Sequence, residues 1–346
     1  MKMRKIVCSF MISVVCFMTA ISGVSATSYD TSKINAAYSK VVEYYKNNNN
    51  LNNADKILAV ESLGLEAESN QFDTSSANLS STSLSKKIVT EVLLGVDPTK
   101  DKETLESQID ENGNVEGSWG ASSDVWTLYA LYVTSSEKTN LIANKLNDEL
   151  AASSVCGYEW GGTYYADYDT TGWVIEGLAV VNKEKYATTI NKAIDYIKNN
   201  TTMTTTGWIT ADNVDTQSQV LEGMFAYDTN ALLNDSYTVH PVDCLLNTQL
   251  SDGSFPSGYN AEYTTAEVAK TLGTYKNGSV IIKAKKAYDK MMNPEQPDNT
   301  KPAQPTDTKK DSQSTNKVET TNQKTTSVKT GDETNVVIFV SLSMVS

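Results

Sequence analysis

The sequence predicts an all-α protein in which helical hairpins repeat and close into a ring. Between Tyr29 and Met292 the apolar residues recur with helical spacing, and clusters of Gly, Asn and Ser separate the segments. Turns that carry one aromatic residue recur about 45 residues apart, the length of one helical hairpin. Because the apolar face of each hairpin is too large to bury alone, neighbouring hairpins must stack.

Twelve helices are predicted, paired as six hairpins, and strand signals are scarce. The helices lie near residues 30–48, 51–65, 83–95, 101–108, 121–134, 139–152, 169–182, 186–200, 213–227, 237–249, 261–275 and 278–292. Small residues share one aligned position, at Gly172, Ser218 and Ala266, so the inner helices can approach each other near the axis.

The four later hairpins form the repeat. Each opens on a turn with an aromatic residue, at Trp119, Trp160, Trp208 and Phe255. We expect these four rings to pack between neighbouring hairpins.

The chain divides into four segments. A basic start, an apolar run and small residues ending at Ala26 predict a signal peptide over 1–26, followed by the helical domain over 27–292. Residues 293–326 are rich in Pro, Thr, Gln and Lys, which predicts a disordered linker. Residues 327–346 are distinct again, because a polar stretch is followed by an apolar run.

This last segment resembles a sortase-type sorting signal. Thr330 and Gly331 precede the apolar run, and the resemblance implies cleavage between them and attachment of the chain to peptidoglycan. Ser327 and Val328 stand where the usual signal has Leu-Pro, and no basic residue follows, so we expect a truncated C-terminus. The alternative is a disordered tail in which the Thr-Gly pair occurs by chance.

Two other segments resemble the repeats of terpenoid cyclases and protein prenyltransferases. The turn Gln249–Phe255 is similar to their glutamine-to-tryptophan repeat, and Asp167–Thr171 is similar to the turn that opens an inner helix. The resemblance extends to cobalamin carriers and to secreted Gram-positive surface proteins with prenyltransferase-like repeats. It implies an (α/α)6 toroid and admits a corrinoid or another flat hydrophobic ligand.

The chemistry of these enzymes is only partly represented. Class II cyclases use an Asp-x-Asp-Asp motif, whereas here Asp167 and Asp169 are followed by Thr170, so Asp169 is interpreted as a helix N-cap. Prenyltransferases hold zinc through ligands from separate repeats. His240, Asp243 and Cys244 lie within five residues, so we expect no metal and no cofactor.

Glu176 and Glu222 share one column of adjacent inner helices. Paired carboxyl groups across a cavity can act as acid and base on a glycan. Lys270 in the same column favours the alternative that the position is merely polar.

A ligand site is predicted where the turns gather at one rim of the ring, because aromatic faces with a few polar groups suit a concave site. Its expected residues are Tyr164, Tyr165, Asp167, Trp173, Asp212 and Tyr259.

The net charge of −13 argues against nucleic acid or an anionic membrane as a partner, so we expect no binding to nucleic acid. The sequence therefore predicts an extracellular, wall-attached, non-catalytic module for binding or adhesion, with a small hydrophobic, corrinoid or glycan ligand. The alternatives are a secreted enzyme, glycan-active through Glu176 and Glu222 or cyclase-like through Asp167 and Asp169, and a structural spacer without a ligand. Cys156 and Cys244 are either buried thiols or a disulfide.

Overall fold

The computed structural model describes residues 29–68, 72, 75, 79–201, 213–237 and 239–293. These residues belong to one compact unit. The predicted signal peptide with Ala26, the linker beyond Asn293 and the sorting signal with Thr330 and Gly331 lie outside the described residues. Within the described ranges, no helix is long and apolar enough to span a membrane.

The described residues are mostly helical, which confirms the all-α prediction. Eleven helices and one two-stranded hairpin are assigned within them. In chain order they are α1 Thr31–Asn47, α2 Ala54–Ser62, α3 Ser81–Leu93, α4 Thr99–Ser107, α5 Ala121–Val133, α6 Thr139–Ser153, β1 Gly157–Trp160, β2 Thr163–Ala166, α7 Tyr168–Asn200, α8 Val214–Asn234, α9 Pro241–Leu246, α10 Ala261–Asn277 and α11 Val280–Met292.

Polar residues precede most of these helices. At each of these N-caps a side-chain atom accepts a hydrogen bond from a backbone N–H of the first helical turn, which satisfies a donor without a partner inside the helix. The capping residues are Asp30, Asn53, Ser80, Asp167, His240, Asn260 and Ser279.

α7 and α8 each contain two helical segments joined without a loop. The first segments end at Asn182 and Asp228, whose φ/ψ values are −165°/89° and −157°/91°. The side chain of Asn182 accepts from the N–H of Lys185 at 2.9 Å, and that of Asp228 accepts from the N–H of Ala231 at 2.9 Å. Each break is therefore an internal N-cap, and its recurrence supports the repeat.

Six helices contact one another in a closed cycle. α2 packs against α3, α3 against α5, α5 against α7, α7 against α8, α8 against α10, and α10 against α2. We call these the cycle helices; for α7 and α8 the name refers to the segments before Asn182 and Asp228. α4 contacts α3 and α5, α6 contacts α5 and α7, and α9 contacts α8 and α1.

The last helix does not follow the predicted hairpin pattern. α11 contacts α2, α3, α5 and α10 rather than one helix alone. Lys283 on α11 forms an ion pair with Glu61 near the C-terminal end of α2, at 2.7 Å. Since only Gly278 and Ser279 separate α10 from α11, the chain turns directly across the ends of the cycle helices.

Glycines set the distance between several cycle helices. A Cβ atom on Gly172 of α7 would lie 2.4 Å from the carbonyl oxygen of Gln219 on α8, and one on Gly223 would lie 2.3 Å from the carbonyl oxygen of Gly172. A Cβ on Gly273 of α10 would lie 2.6 Å from the carbonyl oxygen of Ser62 on α2. The predicted close approach at Gly172 is confirmed, because only a residue without Cβ fits there.

Replacing Gly223 by Ala is therefore expected to destabilise the domain by about 1–3 kcal/mol, since the added methyl forces α7 and α8 apart. The helix propensity of Ala would act in the opposite direction by about 1 kcal/mol. Urea denaturation measures the difference. Gly258→Ala is the matched control, because no atom lies within 4 Å of a Cβ there. Equal midpoints for both variants would contradict this packing.

Candidate functional site

The N-terminal ends of four cycle helices meet at one end of the cycle. The hydroxyl of Thr216 on α8 donates to Asp169 on α7 at 3.1 Å, and that of Thr264 on α10 donates to Asp215 on α8 at 3.2 Å. On α2, Lys56 pairs with Glu262 of α10 at 2.9 Å. Because each contact joins first-turn residues, the turns before these helices also gather here. The turn before α5 lies at the same end, since α5 runs parallel to α7, with Trp126 against Trp173 and Tyr129 hydrogen-bonded to Glu176.

Exposed aromatic side chains lie in these turns. Among the described side chains, every tyrosine or tryptophan that is more than a third exposed lies in the turn before α5, α7 or α10. They are Trp119, Tyr158, Tyr164, Tyr165 and Tyr259, which we call the aromatic surface. Monomeric proteins rarely expose clustered apolar side chains without a binding role.

A β-hairpin carries three of these rings. β1 and β2 pair antiparallel, and Tyr158 lies opposite Tyr165 with ring centroids 5.5 Å apart and planes inclined by 17°. Gly161 and Gly162 form the turn with φ values of 59° and 78°, which suits a tight two-residue hairpin. The stacked rings of Tyr158 and Tyr165 are therefore carried by a short, regular β-hairpin.

The start of α7 fixes the hairpin to the helical domain. The N–H of Asp167 donates to the carbonyl of Cys156 at 2.7 Å, and Thr171 Oγ1 accepts from the N–H of Cys156 at 2.9 Å. The hydroxyl of Tyr164 donates to the carbonyl of Val155 at 2.8 Å. Tyr164 is thus held at its hydroxyl while its ring stays partly exposed.

Tyr259 belongs to the same end of the cycle but is held from α8. Its hydroxyl donates to Asp215 Oδ2 at 2.7 Å. Tyr259 is 68% exposed, whereas Asp215 is buried. The hydrogen bond to the buried carboxylate therefore fixes the orientation of an exposed aromatic side chain.

The other predicted site residues are placed differently. Trp173 is partly buried and lies against Trp126, with ring centroids 5.9 Å apart. Asp212 and Trp208 lie outside the described residues. The expected packing of the repeat aromatics is confirmed for Phe255, which is fully buried, and wrong for Trp119, which is 88% exposed.

The cap at the start of α7 is also shifted from its predicted place. Asp167, not Asp169, is the N-cap, and it accepts from the N–H of Thr170 at 3.1 Å. Helix α7 begins two residues earlier than the Asp169 cap required, because the hairpin ends at Ala166. Asp169 lies within the first turn, where burial and the charge of Asp167 raise its pKa to about 6.

Glu176 and Glu222 lie inside the cycle. They are 2% and 1% exposed and share a buried network with Tyr129, Glu267 and Lys270, which we call the central cluster. Glu176 accepts from Tyr129 at 2.9 Å, and Lys270 lies 3.0 Å from Glu267 and 3.9 Å from Glu222.

Side chains cross the centre of the cycle. α5 and α10 are three steps apart in the cycle, yet Lys270 Nζ on α10 lies 5.4 Å from the ring centroid of Trp126 on α5. Ser279, the N-cap residue of α11, donates to Glu176 Oε1 at 2.6 Å. The interior at this level is therefore filled by side chains, so Glu176 and Glu222 do not line an open cavity.

Burial determines the protonation of this cluster. It raises the pKa of Glu222 well above the usual value and also raises that of Glu176, although the charge of Lys270 opposes both shifts. Burial alone would lower the pKa of Lys270, but the carboxyl groups of Glu267 and Glu222 outweigh it and raise that pKa. One ammonium thus stays charged while protonation relieves excess buried negative charge.

The residues weighed for zinc and for a disulfide have other partners. His240 caps α9, and Asp243 accepts from Tyr29 at 2.7 Å and pairs with Lys33 at 2.9 Å. Cys156 and Cys244 are both buried thiols. Within the described ranges, no group of three or more His, Cys, Asp or Glu residues is arranged to hold a metal ion.

Asp169 makes the stability of the domain pH-dependent. Its pKa is higher in the folded chain than in the unfolded chain, so the folded chain binds this proton more tightly. The resulting contribution to the free energy of unfolding is present below about pH 4 and is lost as the pH rises to about 6. Asp169→Asn keeps an oxygen for Thr216 and is expected to be more stable than the original chain at pH 7, by roughly 1–3 kcal/mol, and similar near pH 3.5.

Denaturation midpoints measured across this pH range test the effect. Asp195→Asn, at an exposed position of α7, is the control and should leave the pH profile unchanged. A parallel shift of the Asp169→Asn profile at all pH values would refute the assignment.

Comparisons with known proteins leave the family open. No protein-family model and no curated protein matches this chain. The resemblance to toroid repeats therefore rests on the turns of this sequence alone.

Proposed function

We propose that this chain is an α/α toroid, displayed outside the cell, that binds a ligand at its aromatic surface without catalysing a reaction. The closed cycle of helix contacts supports the toroid. The segments at the two ends of the chain support export and wall attachment, through cleavage after Ala26 and between Thr330 and Gly331.

One observation carries the binding proposal: the exposed aromatic side chains of the described residues occur at one end of the cycle. A tryptophan and four tyrosines in water cost free energy that burial would recover, roughly 25 cal/mol per Å². The hydroxyls of Tyr158 and Tyr165 and the partly exposed carboxyl group of Asp167 add polar groups to this surface. Aromatic faces combined with polar groups fit recognition rather than folding.

The exposure of these rings favours a glycan that lies across them over an enclosed hydrophobic or corrinoid ligand. The cavity between the starts of α2 and α10, lined by Asn53, Lys56 and Tyr263, holds about 70 Å³. Pockets that enclose small organic molecules measure about 300–1,000 Å³. An extended sugar chain needs no such cavity, because it lies across exposed rings. The net charge of −13 favours a neutral glycan over a polyanion.

The alternative of an enzyme that uses Glu176 and Glu222 gains little from this geometry. Both carboxyl groups are nearly inaccessible, and Glu176 is already engaged by Tyr129 and Ser279. A substrate would have to displace side chains that fill the centre of the cycle. The alternative of a spacer agrees with the filled centre, but it does not explain why aromatic side chains are exposed at one end of the cycle.

Replacing Tyr158 and Tyr165 together by Ala is expected to weaken glycan binding at least tenfold, about 1.4 kcal/mol, because the stacked pair supplies the flat contact face. Affinity electrophoresis in gels that contain soluble neutral polysaccharides measures the retardation, with a polyanionic polysaccharide for comparison. Trp119→Ala should weaken binding in the same direction.

Met292→Ala is the matched control. Its side chain is 49% exposed, similar to the tyrosines, but it lies at the end of α11. Unaltered retardation in the tyrosine double variant would disprove a role for the hairpin. Absence of retardation by any neutral polysaccharide would favour the spacer.

A further inference from the structure

A buried lysine contacts two carboxyl groups between α3 and α4. Lys87 Nζ on α3 lies 2.6 Å from Oδ2 of Asp101 on α4 and 3.6 Å from Oε1 of Glu91, one turn along α3. The side chains of Lys87, Glu91 and Asp101 are 7%, 5% and 20% exposed. This trio shares no residue with the aromatic surface or the central cluster.

One ammonium cannot compensate both the buried carboxylate of Glu91 and the partly buried carboxylate of Asp101. Glu91 Oε2 is buried and makes no hydrogen bond, so one oxygen of this group remains available. Burial and the charge of Asp101 raise the pKa of Glu91 to about 7, against an opposing effect of Lys87. A carboxyl group of this kind both accepts and donates a proton near neutral pH, which is the property that general acid–base catalysis needs.

The trio holds the reactants of an amide condensation in contact. We propose that Lys87 and Asp101 join in an intramolecular amide bond between α3 and α4, with Glu91 as the catalytic residue that relays the protons. This modification is independent of ligand binding at the aromatic surface.

The reaction needs no reagent from outside the chain. Glu91 takes a proton from the Lys87 ammonium, and the neutral nitrogen attacks Cγ of Asp101. Glu91 passes that proton to the departing oxygen. The new C–N bond forms as one C–O bond of Asp101 breaks. The two protons that nitrogen gives up leave with that oxygen as one water molecule. Glu91 ends as it began, and no oxidant or reductant takes part.

Proximity and burial favour this reaction over a permanent ion pair. Well-oriented groups within one molecule react as if present at about 10⁵–10⁸ M. Burial destabilises the charged reactants relative to the neutral amide, since buried charges are costly. Lys86 and Asp55 are as close, at 2.7 Å, but the Lys86 side chain is 19% exposed whereas that of Lys87 is 7% exposed, so water solvates the ammonium of Lys86 better. This pair provides the control.

The mass of the full chain, measured after denaturation, tests the proposal directly. We expect it to be lower by one water molecule than the mass calculated from the observed termini. A tryptic digest should contain a fragment that joins the segments around Lys87 and Asp101. Lys87→Arg and Glu91→Gln should restore the calculated mass. Asp101→Asn should lose ammonia in place of water, and the control Lys86→Arg should keep the deficit.

The original chain decides the question even if a variant fails to fold. A full calculated mass, or a digest without the joined fragment, would overturn the amide bond. A deficit that persists in Lys87→Arg would assign the lost water elsewhere and would also overturn it. A deficit that persists in Glu91→Gln would remove Glu91 as the relay.

Discussion

The structure depends on backbone contact between neighbouring cycle helices. At Gly172 and Gly223 the backbones of α7 and α8 touch without an intervening side chain, and Gly273 makes the same kind of contact between α10 and α2. These contacts fix both the spacing and the axial position of the helices. Because the helices are held level, their first turns share one end, and Asp169 and Asp215 reach the next helix along. The aromatic surface follows from this alignment.

The close packing of the cycle helices also determines which side chains fill the centre of the cycle. Long polar side chains from the cycle helices meet there, and Lys270 extends across to Trp126. A buried cluster of carboxyl groups with one lysine adds less stability than apolar packing would, because each charge loses its hydration. Such a network is sensitive to geometry, since a displaced helix leaves a charge unpaired. The central cluster thus ties the helix alignment to protonation of Glu176 and Glu222.

Sequence patterns predicted the helices well because their signals are local. Apolar spacing and polar caps such as Asn53 and Ser80 act within a few residues. The hairpin was missed although Gly161 and Gly162, between aromatic and β-branched residues, carry the signal for a tight turn. Tyr158, which lies on this hairpin, is therefore not among the predicted site residues.

Other features depend on contacts distant in sequence, which no local pattern encodes. The position of α11 across the cycle follows from contacts such as Lys283 with Glu61, and its apolar spacing alone also fits an outer helix. The exposure of Trp119 could not be read from a repeat in which the equivalent Phe255 is buried. The column shared by Glu176, Glu222 and Lys270 was visible, but their burial depends on how closely the helices pack.

The side chains that fill the centre of the cycle and the aromatic surface that is exposed at one end together limit where a ligand can bind. A toroid that enclosed its ligand would need a hollow interior, and here the side chains of the central cluster take up that volume with α11 across the far ends of the cycle helices. The chemistry that remains accessible lies on turns, which can change without disturbing the buried contacts. Tyr158 and Tyr165 stand on a hairpin fixed at the start of α7. The proposed recognition at this end therefore depends little on the residues of the core, whereas the proposed alternative of an enzyme would need accessible carboxyl groups in the centre of the cycle.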